Sequence, residues 1–333
     1  MTAATTPTLP ECKTWIRPKR LAWLNLRKTC LTSTEMCGVA GLPKYGMTRF
    51  KIYHLKKNLV EDDFVRTDRV KAGTYLEQAV AKWASEELGM NLKRHADFQI
   101  RGHMGASYDY KINSDGGKYS HWLVEFKNVD GIIFKQQWGA DGDEIPHQIE
   151  IQIQSQLYVS QRPGCILAVL VGGNNLRFFF IERDEGFCRA LAEIADLFWD
   201  QIQAGIVPEN IAEDVDVITQ LYRYSDPEST LDATEDLDLT NLLSQYDSHR
   251  SMKKHAVDEM QRLKGEVLLL IGDKHRVFAA DGWKLIAGHT KDNPGKAITQ
   301  KMVGTIQGAR SGHRQFLLTR KTAEAETSFT EGK

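Results

Sequence analysis

A chain of 333 residues with 41% hydrophobic content can build one large domain and a smaller appendage. No window reaches the roughly 18 consecutive apolar residues a membrane span needs, and the opening MTAATTPTLPECK lacks a secretory signal's apolar run, so a cytoplasmic protein with no membrane partner is expected. Cys12, Cys30, Cys37, Cys165 and Cys188 form no CxxC pair, which argues against a disulfide framework, a zinc knuckle or a four-cysteine iron–sulfur cluster.

The net charge of −1 conceals segregation. Residues 1–71 hold 14 Lys or Arg against 6 Asp or Glu, whereas residues 209–238 hold one Arg against 10 acids. A basic entry surface and an acidic connector follow from that. Trp15, Leu21, Trp23, Leu24 and Leu26 precede Ser33-Thr34-Glu35, which predicts a cap opening a short helix that ends near Gly38. Leu42 to Gly46 reads as a turn, and Lys44, Tyr45 and the following Arg49 combine a stacking ring with phosphate-binding charges.

From Arg69 to Leu88, apolar residues recur at three or four, predicting an amphipathic helix stopped by Gly89 with Glu77 in its first half. His103 to Ile112 and His121 to Lys127 read as the strands of a hairpin turning at residues 113–117. Ile149 to Val159 has helical character and puts Gln152 and Gln156 on one face. A second hairpin pairs Cys165–Val171 with Leu176–Ile181, and a helix covers Asp184 to Ala204. Residues 1–208 thus form the first domain, 209–238 an acidic linker, 239–320 a helical and hairpin accessory region, and 321–333 a disordered tail.

Glu125 and Lys127 lie two apart on a predicted strand, so both side chains leave the same face. With a turn near Gly116, Asp109 falls almost opposite Glu125 on the neighbouring strand. Adjacent carboxylates repel unless a cation lies between them, and hard oxygen ligands select Mg²⁺, with Mn²⁺ as a substitute, over Zn²⁺. Asp109, Glu125 and the carbonyl of Phe126 are therefore the expected metal ligands. Lys127 is placed to position a nucleophile and stabilise developing charge in phosphodiester hydrolysis.

The segments W-L-N-L-R-K-T-C-L-T-S-T-E around Arg27, G-T-Y-L-E at 73–77, G-A-S-Y-D around Asp109, V-E-F-K at 124–127, Q-I-Q-S-Q-L-Y-V at 152–159 and the closing F-W-D-Q-I-Q-A-G-I-V-P occur in order. In this the stretch from Trp23 to Pro208 resembles the YqaJ-type viral recombinases, which include lambda-type exonucleases of the PD-(D/E)xK nuclease superfamily. The resemblance implies an α/β fold with a restriction-endonuclease-like core, a mixed sheet flanked by helices. It implies that Asp109 and Glu125 bind metal, that Lys127 is catalytic, and that Glu77 approaches the metal from its helix. It further implies that Gln152 and Gln154 brace the site and its water, and that Arg27 and Thr34 receive a terminal 5′-phosphate. The family commonly has Ser where Thr34 stands and a Pro-Asp pair where Tyr108-Asp109 stands.

The activity so implied is 5′-end resection of double-stranded DNA in phage-type recombination, with a single-strand annealing protein as partner and a ring-shaped trimer as assembly. An endonuclease of the same superfamily and a noncatalytic DNA-binding protein are the rival expectations. Intact Asp109, Glu125 and Lys127 argue against the second.

Overall fold

The computed structural model describes residues 9–62, 66–113, 116–139 and 141–287. Two compact units divide the chain, Met1–Leu221 and Tyr222–Lys333. The first unit opens with β1 (Cys12–Trp15), α1 (Arg20–Lys28), β2 (Leu31–Thr32), α2 (Met36–Val39) and α3 (Arg49–Lys56). The periodic segment after it is α4 (Asp68–Leu88), whose N-terminus is capped by the Thr67 hydroxyl accepting from the Val70 amide. Its end is set by Gly89 at φ 62°, a left-handed conformation that a glycine adopts without strain.

Then follow β3 (Leu92–Arg94), β4 (Phe98–Arg101), β5 (Met104–Ser107), β6 (Tyr110–Ile112), β7 (Leu123–Val129) and α5 (Gly131–Gln137). The unit continues with α6 (His147–Ser160), β8 (Gly164–Val171), β9 (Asn175–Glu182), α7 (Glu185–Gln203) and α8 (Val215–Leu221). Five strands form a mixed sheet in the order β3-β6-β7-β8-β9, in which β7 and β8 run parallel and are joined through α6. A parallel strand buried on both faces must be apolar throughout, and β8 is GCILAVLV with every residue but the last buried.

Neighbouring side chains of β7 and β8 point to opposite faces. Leu123, Cys165, Leu167 and Val169 pack with residues of α6 and α7, whereas Val124 and Ile166 pack with Ala81 of α4. The sheet is thus flanked by helices on both faces. Four further strands form a second sheet in the order β1-β4-β5-β2.

The segment read as one strand from His103 to Ile112 is divided between these sheets. β5 pairs with β4 and β2, β6 pairs with β3 and β7, and Tyr108-Asp109 is the corner between them. Local β propensity does not reveal such a break, because both halves are β-prone and only their distant partners separate them.

The first unit does not close at Pro208, as the acidic composition of 209–238 suggested. Asp214 is fully buried, accepts from the Thr48 hydroxyl and the Ile211 amide, and is followed by the buried Val217. The start of the expected linker is therefore folded onto this unit, its acid count including one carboxylate with a structural post.

In the second unit, α9 (Leu237–Ile271) precedes a hairpin of β10 (Arg276–Phe278) and β11 (Lys284–Ile286), with Gly282 at φ 77° between them. The expected tail, 321–333, lies outside the described residues. Among the described residues no helix is long and apolar enough to cross a membrane.

Candidate active site

β7 supplies Glu125, Phe126 and Lys127, and its pairing with β6 aligns Tyr110 with Val124. One residue further along that register, Asp109 comes beside Glu125. Its Oδ2 accepts a hydrogen bond from the Phe126 backbone N at 2.9 Å, which fixes the carboxylate at the sheet corner. Glu125 is only 5% exposed, and Lys127 donates from Nζ to its Oε1 at 2.5 Å. The predicted convergence of two carboxylates and an amine is present.

α6 closes the site from the helical side. Gln152 donates from Nε2 to Glu125 Oε1 at 2.7 Å, and Gln156 donates from Nε2 to Glu125 Oε2 at 3.0 Å. Both oxygens of Glu125 are thus oriented by amides one helical turn apart.

Gln154, expected to brace the site, does not reach it. It is 3% exposed, donates to the Glu182 carbonyl at 2.9 Å and accepts from the Asp184 amide at 3.1 Å, tying α6 to the start of α7. The reason is the helical period: residues two apart leave an α-helix on nearly opposite sides, whereas residues four apart share one. Gln156 holds the second bracing position, and its i,i+4 spacing from Gln152 was the signal for it.

The electrostatics are those of a site short of positive charge. Burial first and then the Glu125 charge push the Asp109 carboxyl up to about 8. Burial raises Glu77 of α4 as well; Arg94 opposes that rise and Glu125 adds to it. Burial would lower the Lys127 ammonium, but Glu125 and Asp109 outweigh it and its pKa is raised. Lys127 therefore stays charged at neutral pH. Lys44, from the turn after α2, is lowered by burial and then by Lys127, which places a second cation within electrostatic reach.

Among the described residues no three His, Cys, Asp or Glu side chains converge into a ready-made metal cage. The Asp109–Glu125 pair with the Phe126 carbonyl nonetheless fits a hard divalent cation that keeps part of its water shell, as Mg²⁺ does. An Asp held up to about 8 by burial and then by a neighbouring carboxylate has a proton that a cation can replace near neutral pH. Glu77 is the further carboxylate close enough to respond to the same charges.

Arg27, in the last turn of α1, lies over the Trp23 ring at 4.7 Å, and Trp23 Nε1 donates to Ser107 Oγ at 3.2 Å, two residues before Asp109. Thr34 is exposed, its hydroxyl 3.1 Å from that of Thr32. It does not open a helix as its sequence suggested. α2 has four residues, starts at Met36 after Glu35, and shows no side-chain cap. Glu35 instead turns back to accept from the Thr32 amide at 2.7 Å, because Lys56 buries its charge with it at 2.8 Å. Arg27 is half-buried and Thr34 exposed, and neither has the support of a long helix dipole.

Residues 22–163 match the YqaJ-like viral recombinase domain family, so the resemblance read from the sequence is shown over that stretch. No curated protein matches the chain. Similar solved structures include an alkaline exonuclease from Laribacter hongkongensis, at 16% identity and TM-score 0.44 over 55% of this chain and 93% of that one. A phage-related exonuclease from Haemophilus somnus 129PT is similar at 13% identity and TM-score 0.41, over 55% and 99% of the two chains.

Proposed function

We propose that the first unit is a Mg²⁺-dependent deoxyribonuclease that resects double-stranded DNA from 5′ ends. The observation that carries this reading is the convergence of Asp109, Glu125 and Lys127 at one sheet corner, with both Glu125 oxygens held by Gln152 and Gln156. A bound Mg²⁺ would polarise the scissile phosphate and acidify a water. Asp109, Glu125 and the Phe126 carbonyl would hold it, with Glu77 at its rim.

The residues of the chain account for the rest. Lys127, charged at neutral pH, cannot take a proton from water; it orients the attacking oxygen and offsets the negative charge that grows on the phosphate. Gln152 and Gln156 keep Glu125 in a single orientation so that no reorganisation is needed during attack. One P–O bond forms to the water oxygen, one breaks to the leaving strand, and the water's protons go to the leaving oxygen and to solvent. Arg27 and Thr34 receive the 5′-phosphate of the end being resected. The 3′ single strand left behind is the substrate of an annealing protein, the partner class that the YqaJ resemblance implies.

The test is incubation of the purified protein with end-labelled linear duplex and closed circular DNA, with Mg²⁺ or with chelator. Loss of the linear substrate alone, abolished by chelator and restored by Mg²⁺ or Mn²⁺, is expected. Cleavage of the closed circle would make the enzyme an endonuclease, and no cleavage of either would leave a DNA-binding protein.

A further inference from the structure

Among the described residues Tyr45 is the most exposed large hydrophobic side chain, at 91%. Its backbone is left-handed, with φ 55°, and Gly46 follows at φ 67°. The Met47 amide donates to the Lys44 carbonyl at 3.1 Å, so residues 44–47 close a turn of the I′ kind. Asn, Asp and Gly dominate such turns, and a bulky ring at the first left-handed position is strained. Strain of this kind persists where the surroundings over-determine it, and it collects at ligand contacts. Both stems of this turn are fixed. The Leu42 amide donates to the Cys37 carbonyl at 2.8 Å, and a Cβ on Gly38 would collide with the Met47 carbonyl. Thr48 caps α3 and donates to the buried Asp214.

The turn stands beside the carboxylate pair. Cys37, whose carbonyl anchors its first stem, donates from Sγ to the Gln148 carbonyl at 2.9 Å. Gln148 lies one helical turn before Gln152, the donor to Glu125. After burial, the Lys127 charge is what lowers the Lys44 ammonium, in keeping with that placement. Lys44 Nζ lies over the Tyr45 ring, 5.2 Å from its centroid, so one ring face carries a cation and the other is open to solvent. An open aromatic face next to an ammonium is the pairing that holds single-stranded nucleic acid, with a base on the ring and its phosphate on the charge.

We propose that Tyr45 is a stacking platform for an unpaired nucleobase of the DNA strand held at Asp109 and Glu125, with Lys44 meeting the phosphate beside that base. A base inside a duplex has both faces covered by its neighbours, so the platform selects strand ends whose bases are free. The substrate rests on the nuclease reading; the stacking itself is read by binding alone.

The test is equilibrium binding, in Ca²⁺, of two duplexes with the same short unpaired 5′ stretch, one bearing its bases and one abasic, to the wild type, Tyr45→Phe and Tyr45→Asn. The wild type is expected to bind the base-bearing end about tenfold more tightly, the scale of one base–aromatic stack. Tyr45→Phe should keep that ratio and Tyr45→Asn should lose it. In chemical denaturation Tyr45→Asn should be at least as stable as the wild type, because Asn suits the turn, so the lost ratio reports the ring and not the fold. A ratio absent from the wild type or surviving in Tyr45→Asn would overturn the proposal. So would a ratio lost in Tyr45→Phe, which would make the hydroxyl the contact, or a destabilised Tyr45→Asn, which would make the ring a packing residue. A ratio that holds in a protein unable to cleave DNA in Mg²⁺ would support the platform and remove the nuclease reading, and cleavage without the ratio would do the reverse.

Discussion

Gln156 touches both Glu125 and the chain that carries Asp109: its Nε2 lies 3.0 Å from Glu125 Oε2 and 3.2 Å from the Ser107 carbonyl. The Ser107 carbonyl belongs to the end of β5, just before the corner, so one amide ties β7 to the segment that delivers the second carboxylate. Replacing Gln156 by Met keeps the volume and removes both bonds. With Glu125 as the proposed metal ligand, turnover is expected to fall about 10- to 100-fold, the usual cost of losing a ligand's orienting neighbour. KM for DNA should hardly move. Steady-state kinetics on linear duplex decide it, and unchanged kcat would reduce Gln156 to a packing residue.

Lys127→Ala separates catalysis from binding. The ammonium is held by Glu125 and so is poised at the carboxylate pair rather than extended toward a distant phosphate. Single-turnover rates should drop by about 10²-fold or more, the scale of losing one group that stabilises transition-state charge. Equilibrium binding of duplex in Ca²⁺ should stay within a few fold. A defect cured by raising DNA concentration would make Lys127 a phosphate contact only.

Period-two and period-3.6 spacing made the centre of this site legible. Glu125 and Lys127 share a face because they are two apart on a strand, and Gln152 and Gln156 share one because they are four apart on a helix. Helix α4 was equally plain, since Gly89 ends a strongly periodic run. The strand break at Tyr108-Asp109 was not legible, because it depends on β4 and β7 being in different sheets. β2 was hidden for a related reason: two residues pairing in parallel with β5 carry no local pattern. Gln154 lies off the site because a residue two along the helix from Gln152 leaves it on nearly the opposite side, toward Glu182 and Asp184.

His95 gives stability a pH dependence of definite sign. Its ring is 5% exposed and stacks on Tyr108 at 4.8 Å; burial, then the Lys111 charge, lowers its pKa to about 4, with Asp97 opposing. The unfolded chain takes up the proton near pH 6.5, roughly the value of a free imidazole, and the folded chain does not. The contribution of neutral His95 is therefore complete above about 6.5 and is lost as pH falls toward about 4. Chemical denaturation from pH 7.5 to 4.5 should show a decline in stability that is shallower in His95→Gln. Equal slopes would place the acid sensitivity elsewhere.

A chain ending at Leu221 should fold and keep the proposed metal-dependent activity, whereas one ending at Pro208 should be less stable. The shorter form removes Asp214, which accepts from Thr48, a buried residue that also caps α3. Leaving such a buried hydroxyl without its partner costs about 1–3 kcal/mol, beyond the packing of Val217. Thermal melts of the two forms provide the comparison. Identical midpoints would mean that residues 209–221 do not belong to the first unit.

The proposed end dependence is tested by a 5′-phosphate preference. Arg27 has two roles open to it, an ion pair with a nearby acid or reception of an anion from outside. Glu35 is the nearby acid, and it is bound by Lys56, whose Nζ lies 2.9 and 2.8 Å from its two oxygens and 2.6 Å from the Arg27 carbonyl. Against burial, the Lys56 charge and then that of Arg27 lower the Glu35 carboxyl, but the Arg27 guanidinium lies on Trp23, the ring bonded to Ser107. A planar guanidinium stacked on an indole keeps its edge donors for a fork to a phosphate, which a lysine in its place would not provide. Because α2 is only four residues long and starts after Glu35, its dipole contributes little, and the guanidinium carries most of the expected affinity. Linear duplex with a 5′-phosphate should therefore be degraded faster than the same duplex with a 5′-hydroxyl, by about tenfold if the fork is worth one charged hydrogen bond. Arg27→Ala should erase most of that ratio, and Arg27→Lys should restore it only in part, while the Mg²⁺ concentration for half-maximal rate stays the same in all three proteins. Equal rates on the two duplexes, or a ratio that survives in Arg27→Ala, would remove the phosphate pocket and leave the carboxylate centre open to internal phosphodiesters.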